Sequence, residues 1–171
     1  MKKKLVLLCL SLSLLLVACG TKEEEKPTTD DAKDSKGIVL DDKGNPKETV
    51  KVDAKTEKAV KDAIEQNRKA LSEGNIDAYI KTIDKDSKQL DVKKEEKALS
   101  DTLEKYKYEK KISNIKFLEK KKDKIVVFYN VEATAYPKND GEKAEKSFNE
   151  VVTLVKKDGT YKYSEMQQAA I

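Results

Sequence analysis

The sequence predicts an α+β fold, N-terminal helices packed on a curved antiparallel sheet, on three observations. Apolar residues recur at helical spacing up to about Lys105, the period changes to two after Tyr106, and turn residues then separate long alternating runs. Ahead of this domain, assigned to residues 53–171, the chain divides into three further parts: 1–18, 19–36 and 37–52.

Met1 to Lys4 form a positive start, and Leu5 to Val17 an unbroken run of apolar and small residues that ends at Ala18 and Cys19. This is the anatomy of an export signal. The run is shorter than the roughly 20 residues a spanning helix needs, and the polar stretch from Thr21 to Lys26 closes it. Gly20 to Lys36 carries no aliphatic or aromatic side chain larger than Ala32, so it buries too little surface to offset the entropy of ordering. It reads as a flexible tether with a span of roughly 20 to 25 Å. In residues 37–52, Ile38, Val39 and Leu40, then Val50 and Val52, flank a turn-prone stretch from Asp42 to Pro46. A short hairpin on the domain and further linker both fit it.

Ala59, Val60, Ala63, Ile64, Ala70 and Leu71 share one face of a helix within Asp53 to Gly74. Asn75 caps a second helix bearing Ile76, Tyr79, Ile80 and Ile83, and Ala98, Leu99 and Leu103 mark a third from Val92. In the strands, Ile125, Val127, Tyr129, Val131, Ala133 and Ala135 alternate inward, followed by strands over 147–157 and 160–168. Lys120 to Asp123, Lys138 to Gly141, and Asp158-Gly159 are the turns between them. Apolar parity slips from Tyr106, Tyr108 and Ile112 to Ile115 and Phe117, which places a bulge near Ser113-Asn114.

The net charge of +4 falls to +1 once Lys2, Lys3 and Lys4 of the leader are removed, so the basic balance is no argument for nucleic acid and none is expected as a partner. After cleavage before Cys19 one cysteine remains, and no internal disulfide is possible. His is absent, which removes the commonest general base and metal ligand. No phosphate loop, metal-ligand spacing or nucleophile motif is present, and neither cofactor nor metal is expected.

Glu150 is the best candidate pocket acid, sharing parity with Phe148, Val152 and Leu154. Desolvated there it would suit proton transfer; general burial preferences favour its pointing to water instead. Tyr79, Tyr129 and Tyr163 are candidate pocket donors, although core tyrosines with their hydroxyls at the rim are the commoner case. Asp77 fits the start of a helix better than a pocket. The run Lys105, Lys107, Lys110, Lys111, Lys116, Lys120, Lys121, Lys122 and Lys124 is broken by Glu109, Glu119 and Asp123 and reads as a solvated strand face rather than a site for anionic polymers. Val126, Phe128, Val151 and Val155 lie on the face opposite the core set, which suggests a cover: a second copy, another envelope protein, or the 37–52 segment folding back.

Leu16, Val17, Ala18 and Cys19 resemble the lipobox of bacterial lipoproteins. The resemblance implies a diacylglyceryl thioether on Cys19, cleavage before it, and a protein anchored by its acyl chains in the bilayer of the cell membrane on the extracytoplasmic side. Two or three chains hold a protein firmly where one does not. The Lys-rich composition, with Arg68 the single arginine, is similar to that of low-GC Gram-positive bacteria.

Helices first, the stretch Glu73, Gly74, Asn75, Asp77 and Tyr79, and a bent meander closing on Gly159 to Tyr163 resemble the nuclear-transport-factor-two-like domains over about residues 55–168. That family implies a cone-like sheet around the helices, an open end that holds a small ligand in some members, and dimers through the sheet in many. Together these readings give a non-catalytic ligand-binding or protein-interaction module, its ligand unknown, with a small pocket enzyme of isomerase, dehydratase or hydrolase type using Glu150 and a tyrosine as the alternative.

Overall fold

The computed structural model describes residues 40, 41 and 44–170. The leader, the lipobox ending in Cys19 and the tether of residues 20–36 lie outside the described residues. Helices α1 (Ala54–Ser72), α2 (Ile76–Ile80) and α3 (Val92–Lys105) precede strands β1 (Tyr106–Lys120), β2 (Lys124–Pro137), β3 (Ala144–Lys157) and β4 (Thr160–Ala170). The strands form one antiparallel meander in the order β1-β2-β3-β4.

Each helix begins where a short polar side chain satisfies the first free N–H groups. Asp53 accepts from the Thr56 backbone at 2.9 Å and from Lys120 Nζ at 2.7 Å, which ties the start of α1 to the end of β1. Asn75 accepts from Ala78 N at 2.9 Å, and Asp91 from Lys93 N at 3.0 Å. Gly74, at φ +68°, turns the chain from α1 into α2, a conformation that glycine adopts without a Cβ penalty.

The faces read from periodicity are the faces buried. Val60, Ile64 and Leu71 of α1 meet Ile125, Val127, Tyr129, Val131 and Ala135 of β2 in one core cluster. Each large side chain so buried contributes about 1.5 to 3 kcal/mol. The helical layer is sewn to the far side of the sheet by the segment after α2: Tyr163 N donates to Thr82 O at 2.9 Å, and Asp84 N to Tyr163 O at 2.8 Å.

The register of β1 on β2 shifts between Ser113 and Lys116, with Asn114 at φ +54°, and again between Phe117 and Glu119. These irregularities bend the long first hairpin over the helices. Val126 and Phe128, on the outer face, are themselves buried, at 5% and 1% exposure. Gly44 and Asn45 lie against Asn149 and Asn114 of the sheet. Leu40 bridges Pro46, Asn114 Nδ2 donates to Asn45 Oδ1 at 2.7 Å, and a Cβ on Gly44 would meet Asn149 Nδ2 at 3.7 Å.

Candidate functional site

Pleating sends alternate residues of each strand to the concave side of the sheet, and there three strands bring polar groups together. Glu150 of β3 is paired directly with Tyr129 of β2 on one side and with Gln168 of β4 on the other. Glu150 is 1% exposed, which corrects the expectation that it points to water. The reason is a cation that the general preference ignores: Lys110 Nζ donates to Glu150 Oε2 at 2.7 Å, and Gln168 Nε2 donates to Oε1 at 3.1 Å. Lys110 reaches from β1 because the residue opposite it on β2 is the small Ala133, so its stem crosses the strand with Nζ 5.6 Å from the centre of the Tyr129 ring.

Tyr129 and Tyr163 are fully buried, and their hydroxyls lie 3.4 Å apart inside the core rather than at a rim. Burial first, then Tyr163 and the Glu150 carboxylate, push the Tyr129 phenol far above its ordinary range. Burial is also the main cause that raises Tyr163, and it pushes Tyr108, with Glu150 adding, up to about 12. These phenols therefore stay protonated and act as hydrogen-bond donors. Tyr79 is buried in the same core and raised by burial, then by Glu95 and Glu150. Nearby, Asn67 donates to Thr82 Oγ1 at 2.8 Å and Thr82 Oγ1 to Tyr79 O at 2.6 Å. Asp77 is exposed in the first turn of α2. Of the nine lysines in the run from Lys105 to Lys124, Lys110 alone is buried.

Glu95, on the inner face of α3, is 5% exposed. Burial, then the Asp91 charge, raise its carboxyl to about 6. The native state thus holds this proton more tightly than the unfolded chain, and its contribution to stability is full below the ordinary carboxylate range and lost as pH rises through about 6. Glu95→Gln is accordingly expected to stabilise the domain by about 1 to 2 kcal/mol at pH 7 and to leave it unchanged near pH 4. Urea titrations of both proteins at the two pH values measure this; an equal difference at both would mean that the carboxyl titrates normally.

An open groove of about 410 Å³ runs between α1 and β1, lined by Lys61, Ile64, Glu65 and Arg68 on the helix and by Lys110, Lys111, Ile112 and Ile115 on the strand. Its floor is apolar, its walls are predominantly cationic, and Lys110 joins it to the buried Glu150. Among the described residues no group of three or more His, Cys, Asp or Glu side chains is placed to hold a metal ion. Lys61, Arg68 and the groove itself have no signature in the sequence, because they depend on how α1 is rotated against the edge of the sheet. Lys110 had one, its parity with Tyr108 and Ile112.

Residues 62–170 match the family described as the anti-sigma-I factor RsgI9, C-terminal domain. No curated protein matches the chain. Among solved structures, a Novosphingobium aromaticivorans protein provisionally named a scytalone dehydratase is similar at TM-score 0.62 and 14% identity, over 68% of this chain and 84% of that one. The hexachlorocyclohexane dehydrochlorinase of Novosphingobium barchaimii is similar at TM-score 0.59 and 9% identity, over 67% and 86%. A protein of unknown function with a cystatin-like fold from Nostoc punctiforme follows at 0.56 and 12%, over 70% and 93%. At such identities the likeness is one of fold, and it supports the nuclear-transport-factor-two-like architecture. It also overturns the expectation of a non-catalytic domain. That expectation rested on missing motifs and a missing histidine, and similar structures that share this fold include dehydrochlorinases, so those absences are no ground for excluding catalysis.

Proposed function

This chain belongs to the family of the anti-sigma-I factor RsgI9 C-terminal domain, and from that membership we propose a binding domain, held outside the cytoplasmic membrane by lipidated Cys19, that engages a ligand or partner protein in the groove between α1 and β1. The observation that carries the reading is the groove itself: an apolar floor of Ile64, Ile112 and Ile115 beneath Lys61, Arg68 and Lys111, open to solvent and backed by the buried Lys110–Glu150 pair. Such a mixture of apolar area and a few directed polar groups is what ligand sites are made of. The family is named for a regulator that acts on another protein, which supports a partner-reading role. The leader, the Leu16 to Cys19 motif and the tether support the location, since an acylated cysteine and a flexible stalk would hold the domain clear of the headgroups.

A second reading is favoured by the burial of Glu150 among Lys110, Tyr129 and Tyr163. In it the domain is a small pocket enzyme of isomerase, dehydratase or hydrolase type, with Glu150 accepting a proton and a tyrosine donating a hydrogen bond to a carbonyl.

Native mass spectrometry of the protein taken from the membranes of its own host tests both. Wild type is expected in the membrane fraction with the mass of a diacylglyceryl group on a chain beginning at Cys19, and Cys19→Ala in the soluble fraction without it. Cys19→Ala remaining in the membranes would end the lipoprotein reading. A small molecule retained by wild type and lost in Glu150→Gln would favour the pocket enzyme over the groove.

A further inference from the structure

The groove is also the free edge of the sheet, because β1 is the first strand in the order β1-β2-β3-β4. Which backbone groups face outward follows from two hydrogen bonds. Lys105 O accepts from Lys138 N at 2.9 Å, on the β2 side. Lys110 O instead accepts from Arg68 Nη1 at 3.3 Å, and Arg68 stands on α1, away from β2. Outward and inward pairs alternate along an antiparallel ladder, so Tyr108 and Ile112 share the outward orientation of Lys110. Past the bulge, Phe117 O accepts from Val50 N at 2.8 Å. The chain thus already hydrogen-bonds its own backbone at Val50 to one end of this edge, and along Tyr108 to Ile112 no strand of the described residues lies on the side away from β2.

We propose that the groove takes an extended acidic peptide segment of a partner protein as a fifth strand along Tyr108 to Ile112. This rests on the binding-domain reading above and names the class of its partner. The edge supplies backbone donors and acceptors that give affinity without regard to sequence, as in other cases of strand addition. Ile64, Ile112 and Ile115 receive alternate apolar side chains, and the cations select acidic ones between them. Lys61 is held by Glu57 at 2.6 Å in a solvent-exposed helix pair that an incoming carboxylate exchanges with at little cost. Half-buried Arg68 is instead held by Glu65 through two bonds, at 2.7 and 2.5 Å, and keeps one guanidinium nitrogen, Nη1, directed at β1. Lys111 has no ion-pair partner among the described residues. The Arg68 bond to Lys110 O occupies the acceptor that an added strand would use, and Arg68 is freed by that strand to meet its carboxylate.

The test uses the chain from residue 19 onward with Cys19→Ser, titrated with a labelled, end-capped decapeptide of alternating glutamate and valine. Controls are the lysine-valine counterpart and two versions of the acidic peptide N-methylated at one or the other alternating set of residues. The acidic peptide is expected to shift the amides of Tyr108, Lys110 and Ile112 in ¹H–¹⁵N spectra, and to bind at least about tenfold more tightly than the lysine peptide. One methylated version should lose binding while the other keeps it, since only one set of N–H groups faces β1. Arg68→Glu, with its fold checked in the same spectra, should weaken binding by about tenfold. No shift of the three amides at about 1 mM peptide, the range of Kd beyond which association is too weak to be specific, or equal binding by both methylated versions, overturns the proposal. If the peptide fails but a small molecule co-purified from the host shifts the same amides, the peptide class is wrong and the groove reading stands; if neither shifts them, both fall.

Discussion

Glu150→Leu alone is expected to destabilise the domain by about 3 to 5 kcal/mol, Lys110→Met alone by a similar amount, and the double replacement by little or nothing. The asymmetry follows from what each change leaves behind. Lys110 and Glu150 side chains are 6% and 1% exposed and bonded to one another at 2.7 Å, so removal of either strands a charge that is largely shielded from water, whereas removal of both substitutes apolar volume for an ion pair whose attraction roughly offset its desolvation. Gln168 donates to Glu150 Oε1 from the edge of β4 and cannot replace a cation. A loss of that size is a large part of the roughly 5 to 15 kcal/mol that holds a domain of this kind together. Urea denaturation of the four proteins gives the double-mutant cycle directly. Single replacements costing under about 1 kcal/mol would mean that water reaches the pair from the groove. A double variant as stable as wild type that no longer binds at the groove would assign the pair to function, since its retention could not then be explained by stability.

The same pair shows how far the sequence was legible. Parity along β3 puts Glu150 on the inner face with Phe148, Val152 and Leu154, and the structure puts it there; the preference of carboxylates for water argued against a conclusion that local pattern had right. What tips the balance is Lys110, distant in sequence and on β1, which reads as one more member of a lysine run until its parity with Tyr108 and Ile112 is noticed. The parity slip at Ser113-Asn114 was stronger evidence because a strand with one buried face cannot change parity without an extra residue, and the register shifts at that point. The cap at Asn75 and the turn at Asp158-Gly159 were legible because each is satisfied within a few residues, while the caps at Asp53 and Asp91 emerge only in the structure. The groove was not, because its two walls are far apart in sequence and only the docking angle of α1 makes Arg68 and Lys110 neighbours. Val126 and Phe128 show the intermediate case: their pattern calls for a cover, both are buried, and it takes the structure to bring Gly44 and Asn45 against Asn149 and Asn114 of the sheet.

Tyr129→Ala is expected to cost about 3 to 5 kcal/mol, as large aromatic truncations in a closed core do, and Tyr129→Phe only about 1 kcal/mol. The ring is fully buried beneath Lys110 Nζ, and its hydroxyl meets that of Tyr163. Alanine therefore opens a cavity and removes the π-face under the ammonium, while phenylalanine keeps the packing and that face and leaves the Tyr163 hydroxyl short of one partner. Chemical denaturation separates the two, and a phenylalanine variant as damaged as the alanine one would mean that the hydroxyl network, not the ring, holds this part of the core. The conservative variant also bears on function. Both phenols are pushed above their ordinary range by burial, so neither is a base at neutral pH, and a proton accepted in this core falls to a buried carboxylate, Glu150 or Glu95. If Tyr129→Phe keeps its fold and its peptide binding at the groove while losing a retained small molecule, the cone and the groove are two sites with separate ligands; if it changes neither, the tyrosines belong to the packing that positions Lys110, and the groove is where recognition occurs.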